Sequence, residues 1–129
     1  DAMSSILVVD DEKKIRNIYR DLLTHEGYRV IEAEDGEAAT MALLANPDID
    51  LVLLDLCMPV VDGPAFYDVL RLFNPSIKVI VTSAYSLEDQ KSLVREADEY
   101  YEKSQDTDSL LQKVRKVLRG VSSTVNLTL

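Results

Sequence analysis

Carboxylates at the ends of apolar runs are the side chains of this sequence best suited to chemistry. Asp10 and Asp11 directly follow residues 6–9, and Asp55 directly follows residues 51–54. An acid beside a buried strand is costly unless the strand ends at a rim that solvent or a cation can reach. Three carboxylates close together would repel by roughly 1–4 kcal/mol per pair, and a divalent metal is the simplest remedy. Oxygen ligands with room for water favour Mg2+, and a carboxylate beside Mg2+ can attack a phosphoryl group.

A hydroxyl and an ammonium follow two later strands. Ser83 comes after the apolar run at residues 77–82, and Lys103 comes after residues 99–102. Phosphoryl transfer to a carboxylate requires that the charge developing on the phosphoryl oxygens be stabilised. Ser83 and Lys103 can supply this stabilisation if their strands end beside the acids.

The elements that must position these groups alternate between strand and helix five times. Continuous apolar runs predict strands buried on both faces, and apolar residues three and four apart predict helices packed against them. This alternation predicts an α/β fold, a doubly wound (βα)5 flavodoxin-like sandwich with a five-stranded parallel sheet. We take the strand order 2-1-3-4-5 from this fold type, and it brings Asp10, Asp11 and Asp55 to one crevice. The predicted strands cover residues 6–9, 28–33, 51–54, 77–82 and 99–102, and the fourth helix is expected over 87–97.

Composition limits the function classes. The chain has 129 residues, 47% of them hydrophobic, which suits one domain with a real core. Its net charge of -9 opposes direct binding of nucleic acid, which requires a basic face. The single cysteine, Cys57, excludes an internal disulfide, and no apolar run is long enough to span a membrane. We therefore expect a cytoplasmic protein with one domain at 4–119, an expression remnant and start at 1–3, and an irregular tail or truncated linker at 120–129.

These motifs together resemble the receiver domain of bacterial two-component response regulators. The resemblance covers about residues 4–119 and is carried by the acidic pair Asp10-Asp11, by Asp55 in the segment DLCMPVVDG, by Ser83-Ala84 and by Lys103. Met58-Pro59 and Asp62-Gly63 predict sharp turns in that segment.

The resemblance implies a role for each residue around Asp55. Asp55 would accept a phosphoryl group from a sensor histidine kinase or a histidine phosphotransfer protein. Asp11 would ligate Mg2+ directly and Asp10 largely through water, while Asp55 and the backbone carbonyl of Cys57 would complete the protein's ligands. Lys103 would pair with a phosphoryl oxygen.

The resemblance also implies a switch. Ser83 would hydrogen-bond a phosphoryl oxygen, and Tyr100, three residues before the lysine, would follow that hydroxyl inward. We prefer Ser83 to Thr82 as the switch hydroxyl because the small residue Ala84 follows it. Tyr85, together with Cys57, would modulate the lifetime of the acyl phosphate by shielding it from water.

The implied protein is a signalling switch and not a turnover enzyme. Its output face would be formed by the fourth helix, fifth strand and fifth helix, which would act on a target protein or output domain or form a phosphorylation-dependent homodimer. Family members usually carry a cis proline after the lysine, whereas this chain has Ser104, so we expect a trans peptide at that position.

Other interpretations of the same residues stay open at this point. The chain could be a degenerate receiver that acts only as a protein-docking module. A haloacid-dehalogenase-type phosphatase would require a second acid at position 57, and a flavin or dinucleotide binder would call for a glycine-rich loop. Asp10, Asp11 or Ser83 could merely cap a helix, and Tyr100 could be a static aromatic.

Overall fold

The computed structural model describes residues 3–57 and 63–127. The turn expected at Met58-Pro59, Asp62 of the turn expected at Asp62-Gly63, and the terminal residues 1, 2, 128 and 129 therefore lie outside the described residues. Within the described part, strands and helices alternate in the order β1 (Ser5–Val9), α1 (Lys13–His25), β2 (Arg29–Ala33), α2 (Gly36–Ala45), β3 (Leu51–Asp55), α3 (Gly63–Phe73), β4 (Lys78–Ser83), α4 (Leu87–Leu93), β5 (Glu99–Glu102) and α5 (Thr107–Leu127).

All the paired strands run parallel, in the order β2-β1-β3-β4-β5. The predicted doubly wound fold and its strand order are therefore confirmed. In the sheet register, Val9 pairs with Leu54, Asp55 with Thr82, and Ser83 with Glu102. The carboxyl ends of β1, β3, β4 and β5 consequently meet at one edge, beside the reversal of strand order between β1 and β3.

The sheet is covered on both faces because its strands are apolar on both faces. One hydrophobic cluster joins alternate strand residues such as Val9 and Leu54 to buried residues of α2 and α3. The other joins the intervening residues, such as Val8 and Leu53, to α1 and α5. No helix among residues 3–57 and 63–127 has the length and apolar composition needed to cross a bilayer.

Gly63 begins α3 directly against the end of β3. A Cβ at this position would lie 2.5 Å from the carbonyl oxygen of Asp55 and 2.5 Å from Cα of Leu56. Both are backbone atoms, which cannot move aside as a flexible side chain could. The Gly63 amide also donates to the Leu56 carbonyl oxygen at 3.2 Å. The absence of a side chain at residue 63 therefore lets α3 start close to the strand end that carries Asp55.

Two sequence predictions about helix length are wrong. The fourth helix ends at Leu93 instead of residue 97, because Val94 takes an extended conformation and its side chain is buried in the core. The segment after Gly120 was expected to be irregular, yet α5 continues to Leu127. No proline interrupts that segment, and an isolated glycine is tolerated within a helix at modest cost.

Candidate phosphoryl-acceptor site

Three carboxylates meet at the carboxyl edge of the sheet. Asp10, directly after β1, and Asp55, the last residue of β3, are both buried, whereas Asp11 is exposed. One oxygen from each carboxylate lies within 4.8 Å of the others. Backbone amides hold two of them, since Glu12 N donates to Asp10 Oδ1 at 2.9 Å and Cys57 N donates to Asp55 Oδ1 at 3.2 Å. The predicted convergence of these three acids is confirmed.

Lys103 brings a cation to the same edge. Its Nζ lies 2.7 Å from Asp10 Oδ2 and 3.6 Å from Asp55 Oδ2. The described residues contain no cis peptide, so the Lys103–Ser104 bond is trans as expected. The Lys103 amide donates to the Ser83 carbonyl oxygen at 2.7 Å, which fixes the lysine backbone beside β4. The lysine therefore reaches the phosphoacceptor candidate, although it lies closer to Asp10.

The pKa values of Asp55 and Lys103 are both raised in this cluster. Burial raises the pKa of Asp55 to about 6, with help from the negative charges of Asp10 and Asp11 and against the Lys103 charge and the Cys57 amide. Burial opposes the charged form of Lys103, but its hydrogen bond to Asp10 and the charge of Asp55 outweigh this effect and raise its pKa. The lysine therefore stays charged. Its single positive charge lies beside the cluster of Asp10, Asp11 and Asp55.

The donor set fits a hard divalent cation. Three carboxylate oxygens within 4.8 Å of one another, without a described histidine or thiolate among them, are typical of an Mg2+ site that also retains water. Asp11 is exposed and can present its carboxylate to solvent-borne metal. Asp10, Asp11 and Asp55 would hold the ion. The part expected of the Cys57 carbonyl stays a prediction.

Ser83 ends β4 and is wholly buried. Its Oγ accepts a hydrogen bond from Tyr85 N at 3.2 Å. The side chain that caps α4 is that of Ser86, whose Oγ accepts from Asp89 N at 3.1 Å. The interpretation of Ser83 as the cap of that helix is therefore wrong. Ser83 stands one strand away from Asp55, and its role as the switch hydroxyl stays a prediction.

Tyr85 and Cys57 meet beside the acids. The Tyr85 hydroxyl contacts the Cys57 side chain, and this contact is the main reason why its pKa is raised. Both residues are exposed, with 42% of Tyr85 accessible. Tyr85 is thus an exposed aromatic residue in contact with Cys57, two residues after Asp55, and its shielding role stays a prediction.

Tyr100 is buried on the face of the sheet that carries α2 and α3. Its hydroxyl donates to the Val94 carbonyl oxygen at 2.6 Å and accepts from Ala97 N at 3.2 Å. The ring is therefore turned inward and holds the loop between α4 and β5. Whether it moves with Ser83 stays a prediction.

Two neighbours of the cluster were not assigned from the sequence. Glu12 Oε1 lies 3.7 Å from Lys103 Nζ, so a third acid competes for the ammonium. Arg16 donates to the carbonyl oxygen of Asp10 at 2.7 Å and fixes the backbone there. The place of Glu12 could have been predicted, because it is the third of three consecutive acids that follow the first strand. The contact of Arg16 could not, because a single arginine on a helix does not indicate which group it binds.

Comparison with known proteins decides the family. The profile of the response regulator receiver domain matches residues 6–115. The chain belongs to that family. This receiver domain is 35% identical to the transcriptional regulatory protein CpxR of Escherichia coli K12 over 118 residues, 91% of the chain and 50% of CpxR. It is 32% identical to the chemotaxis protein CheY of Treponema pallidum over 120 residues, 88% of the chain and 82% of CheY.

A solved relative has a similar fold. The response regulator TrrA of Thermotoga maritima, in complex with Mg2+ and BeF, matches the receiver domain with a TM-score of 0.81 and 38% identity, over 89% of this chain and 99% of TrrA. The chain spans about half the length of CpxR, the first relative. The family assignment disfavours the phosphatase and dinucleotide-binding alternatives, for which Cys57 and the scarcity of glycine already left little basis.

Proposed function

We propose that this receiver domain accepts a phosphoryl group on Asp55, with Mg2+ bound beside it, and passes the signal on through a change of its surface. The donor would be a phosphohistidine of a sensor histidine kinase or of a histidine phosphotransfer protein. The observation that carries the proposal is the meeting of Asp10, Asp11 and Asp55 with the Lys103 ammonium at one rim of the sheet.

The transfer balances as a displacement at phosphorus. An Oδ of ionised Asp55 forms the new O–P bond while the P–N bond of the phosphohistidine breaks, and the leaving imidazole keeps the electron pair and takes a proton from water. The pKa of about 6 leaves most of Asp55 ionised at neutral pH. The Cys57 amide, which donates to Oδ1, orients the carboxylate.

The remaining groups would offset the added negative charge. Bound Mg2+ supplies electrostatic stabilisation of the transferring phosphoryl group, and Asp10, Asp11 and Asp55 would hold it. Lys103 lies 3.6 Å from Asp55 and would pair with a phosphoryl oxygen. Ser83 would donate its hydroxyl proton to another phosphoryl oxygen, because its Oγ only accepts the hydrogen bond from the Tyr85 amide. These groups would also serve autocatalytic phosphorylation and dephosphorylation, without turnover of a separate substrate.

The output would come from the face formed by α4, β5 and α5. Tyr100 links this face to the loop after α4, so an inward or outward change of Ser83 and Tyr100 would alter it. The acidic net charge of -9 argues for a protein as the partner and against direct binding of nucleic acid. We place the domain at residues 4–119, acting in the cytoplasm on a target protein, on an output domain or on a second copy.

Acetyl phosphate tests the proposal directly. The purified chain is incubated with acetyl phosphate with and without Mg2+, and intact mass spectrometry counts phosphoryl groups. We expect one group on the wild type that requires Mg2+, and none on Asp55→Asn. Asp68→Asn, which removes an exposed acid from α3, is the matched control and should be modified like the wild type. A chain that shows no modification under any condition would support a module for docking alone.

A further inference from the structure

Gln90 attaches α4 to the rest of the domain through a buried amide. It is the buried residue of this helix, with no exposed surface, whereas Leu87 is only partly buried. Gln90 Nε2 donates to the carbonyl oxygen of Tyr85 at 2.9 Å and to that of Tyr101 at 3.0 Å. Its Oε1 is buried without a hydrogen-bond partner among the described residues. A helix held in this way depends on hydrogen-bond geometry more than on an apolar stripe.

The two carbonyl groups belong to the two segments that carry the proposed switch. Tyr85 lies two residues after Ser83, and the amide of the same residue donates to Ser83 Oγ. Tyr101 is the neighbour of Tyr100 in β5 and lies two residues before Lys103, which follows that strand. The Gln90 side chain therefore joins the loop after the proposed switch hydroxyl of Ser83 to the strand that contains Tyr100 and leads into Lys103.

The unpaired oxygen makes this arrangement responsive. A buried amide oxygen without a partner costs free energy, so the two bonds of Nε2 must offset both its desolvation and the ordering of the side chain. Hydrogen bonds weaken steeply when their angle or length changes. A shift of the Ser83 loop toward Asp55 would therefore strain or break the bond from Gln90 to Tyr85 before apolar packing changed much.

We propose that Gln90 is a positioning residue that holds the Ser83 loop and β5 in their unphosphorylated arrangement. Ser83 then moves toward Asp55 only when the bond from Gln90 to the Tyr85 carbonyl is given up. The amide thereby opposes activation and couples the two switch segments. This inference rests on the proposed function, because it assigns a restraint on that same site.

Gln90→Met tests the restraint, since methionine has nearly the same length but cannot donate. We expect the affinity for beryllofluoride at saturating Mg2+ to rise about 3- to 10-fold, the equivalent of one lost hydrogen bond. The affinity for Mg2+ alone should be unchanged, because the acids that bind it do not contact Gln90. Gln112→Met, the same substitution at an exposed position of α5, should change neither value.

The outcomes separate this inference from the proposed function. An unchanged or weaker beryllofluoride affinity in Gln90→Met, while the wild type binds in an Asp55-dependent manner, would overturn the restraint alone. Failure of the wild type to bind would overturn the proposed function. If Gln90→Met does not fold, an NMR measurement on the wild-type protein tests the restraint instead. NMR should show faster hydrogen exchange of the Gln90 side-chain amide once beryllofluoride binds, and no change at Gln112; equal protection of Gln90 in both states would contradict the restraint.

Discussion

The ammonium of Lys103 lies 2.7 Å from Asp10 Oδ2, so that it pairs with this proposed metal ligand more closely than with the proposed phosphoacceptor Asp55, 3.6 Å away. A cation in this place neutralises part of the charge that would otherwise attract Mg2+. Under the proposed function, the same ammonium would pair with a phosphoryl oxygen on Asp55, and Asp10 would then serve as a ligand of Mg2+. The proposed function therefore implies that Lys103 and Mg2+ compete for Asp10 before phosphorylation and that both would stabilise the phosphoryl group during it.

Removal of the lysine should separate these two effects. In Lys103→Met, Mg2+ affinity should rise about 3- to 10-fold, because a competing positive charge beside Asp10 is gone. The rate of phosphorylation by acetyl phosphate should fall at least about 10-fold, because the new charge loses a partner. Calorimetry measures the Mg2+ affinity, and intact mass spectrometry over time measures the rate of phosphorylation. Lys116→Met, which removes an exposed charge paired with Glu99, controls for net charge. Weaker Mg2+ binding in Lys103→Met would contradict the competition.

Asp55 should make the stability of the domain depend on pH. The folded-state pKa of about 6 exceeds the ordinary value of 3.8, so the folded state binds this proton more tightly than the unfolded state. The resulting stabilisation is complete below about pH 4 and is lost as the pH rises through about 6.

Asp55→Asn should therefore be more stable than the wild type at neutral pH without Mg2+, by about 1–3 kcal/mol. The difference should shrink as the pH falls from 7 to 4, which urea unfolding at several pH values measures. Added Mg2+ should stabilise the wild type more than the variant. A constant difference across this range would show that Asp55 titrates normally in the folded protein.

Gly63 should be required for the shape of the site. Gly63→Ala places a Cβ against backbone atoms of Asp55 and Leu56, so we expect a loss of about 1–3 kcal/mol in stability and weaker Mg2+ binding. Gly27→Ala is the comparison, because that residue has a φ of 94° and open space around it. Backbone strain should destabilise this variant while Mg2+ affinity stays at the wild-type value. Equal Mg2+ affinity in both variants would show that Gly63 is not required for the shape of the site.

Tyr85 should protect the acyl phosphate from water. Its ring is partly exposed and its hydroxyl contacts Cys57, two residues after the acceptor. Tyr85→Ala should shorten the phosphoryl lifetime several-fold by opening this side of the site, whereas Tyr85→Phe, which keeps the ring, should change it much less. The decay of phosphorylated protein after removal of the donor measures the lifetime. Equal lifetimes in all three proteins would end the shielding role.

The positions of the acids could be predicted because sequence and strand geometry agree there. An uninterrupted apolar run followed by Asp55 indicates a buried parallel strand that ends where a cation can reach the acid, and the structure has this arrangement, with the Lys103 ammonium 3.6 Å from the buried Asp55. The strand order came from the fold type and not from the sequence pattern, since any order of five apolar strands is compatible with the same runs.

The neighbourhood of α4 could not be predicted, for a physical reason. Helix propensity and apolar spacing depend only on neighbouring residues in the sequence. Val94 is extended because its side chain is buried in the core, and this tertiary contact cannot be inferred from the local sequence. The same holds for Gln90, a polar residue whose complete burial depends on carbonyl groups of Tyr85 and Tyr101. Sequence periodicity therefore does not predict helix ends or buried polar residues that depend on tertiary contacts.

The most direct test of the phosphoryl-acceptor site is the binding of beryllofluoride, a mimic of the phosphoryl group, measured by calorimetry on the wild type and on Asp55→Asn. The site predicts one equivalent bound to the wild type in the presence of Mg2+, no binding without the metal, and no binding to the variant. Binding that persists in Asp55→Asn, or wild-type binding that is indifferent to Mg2+, would contradict it.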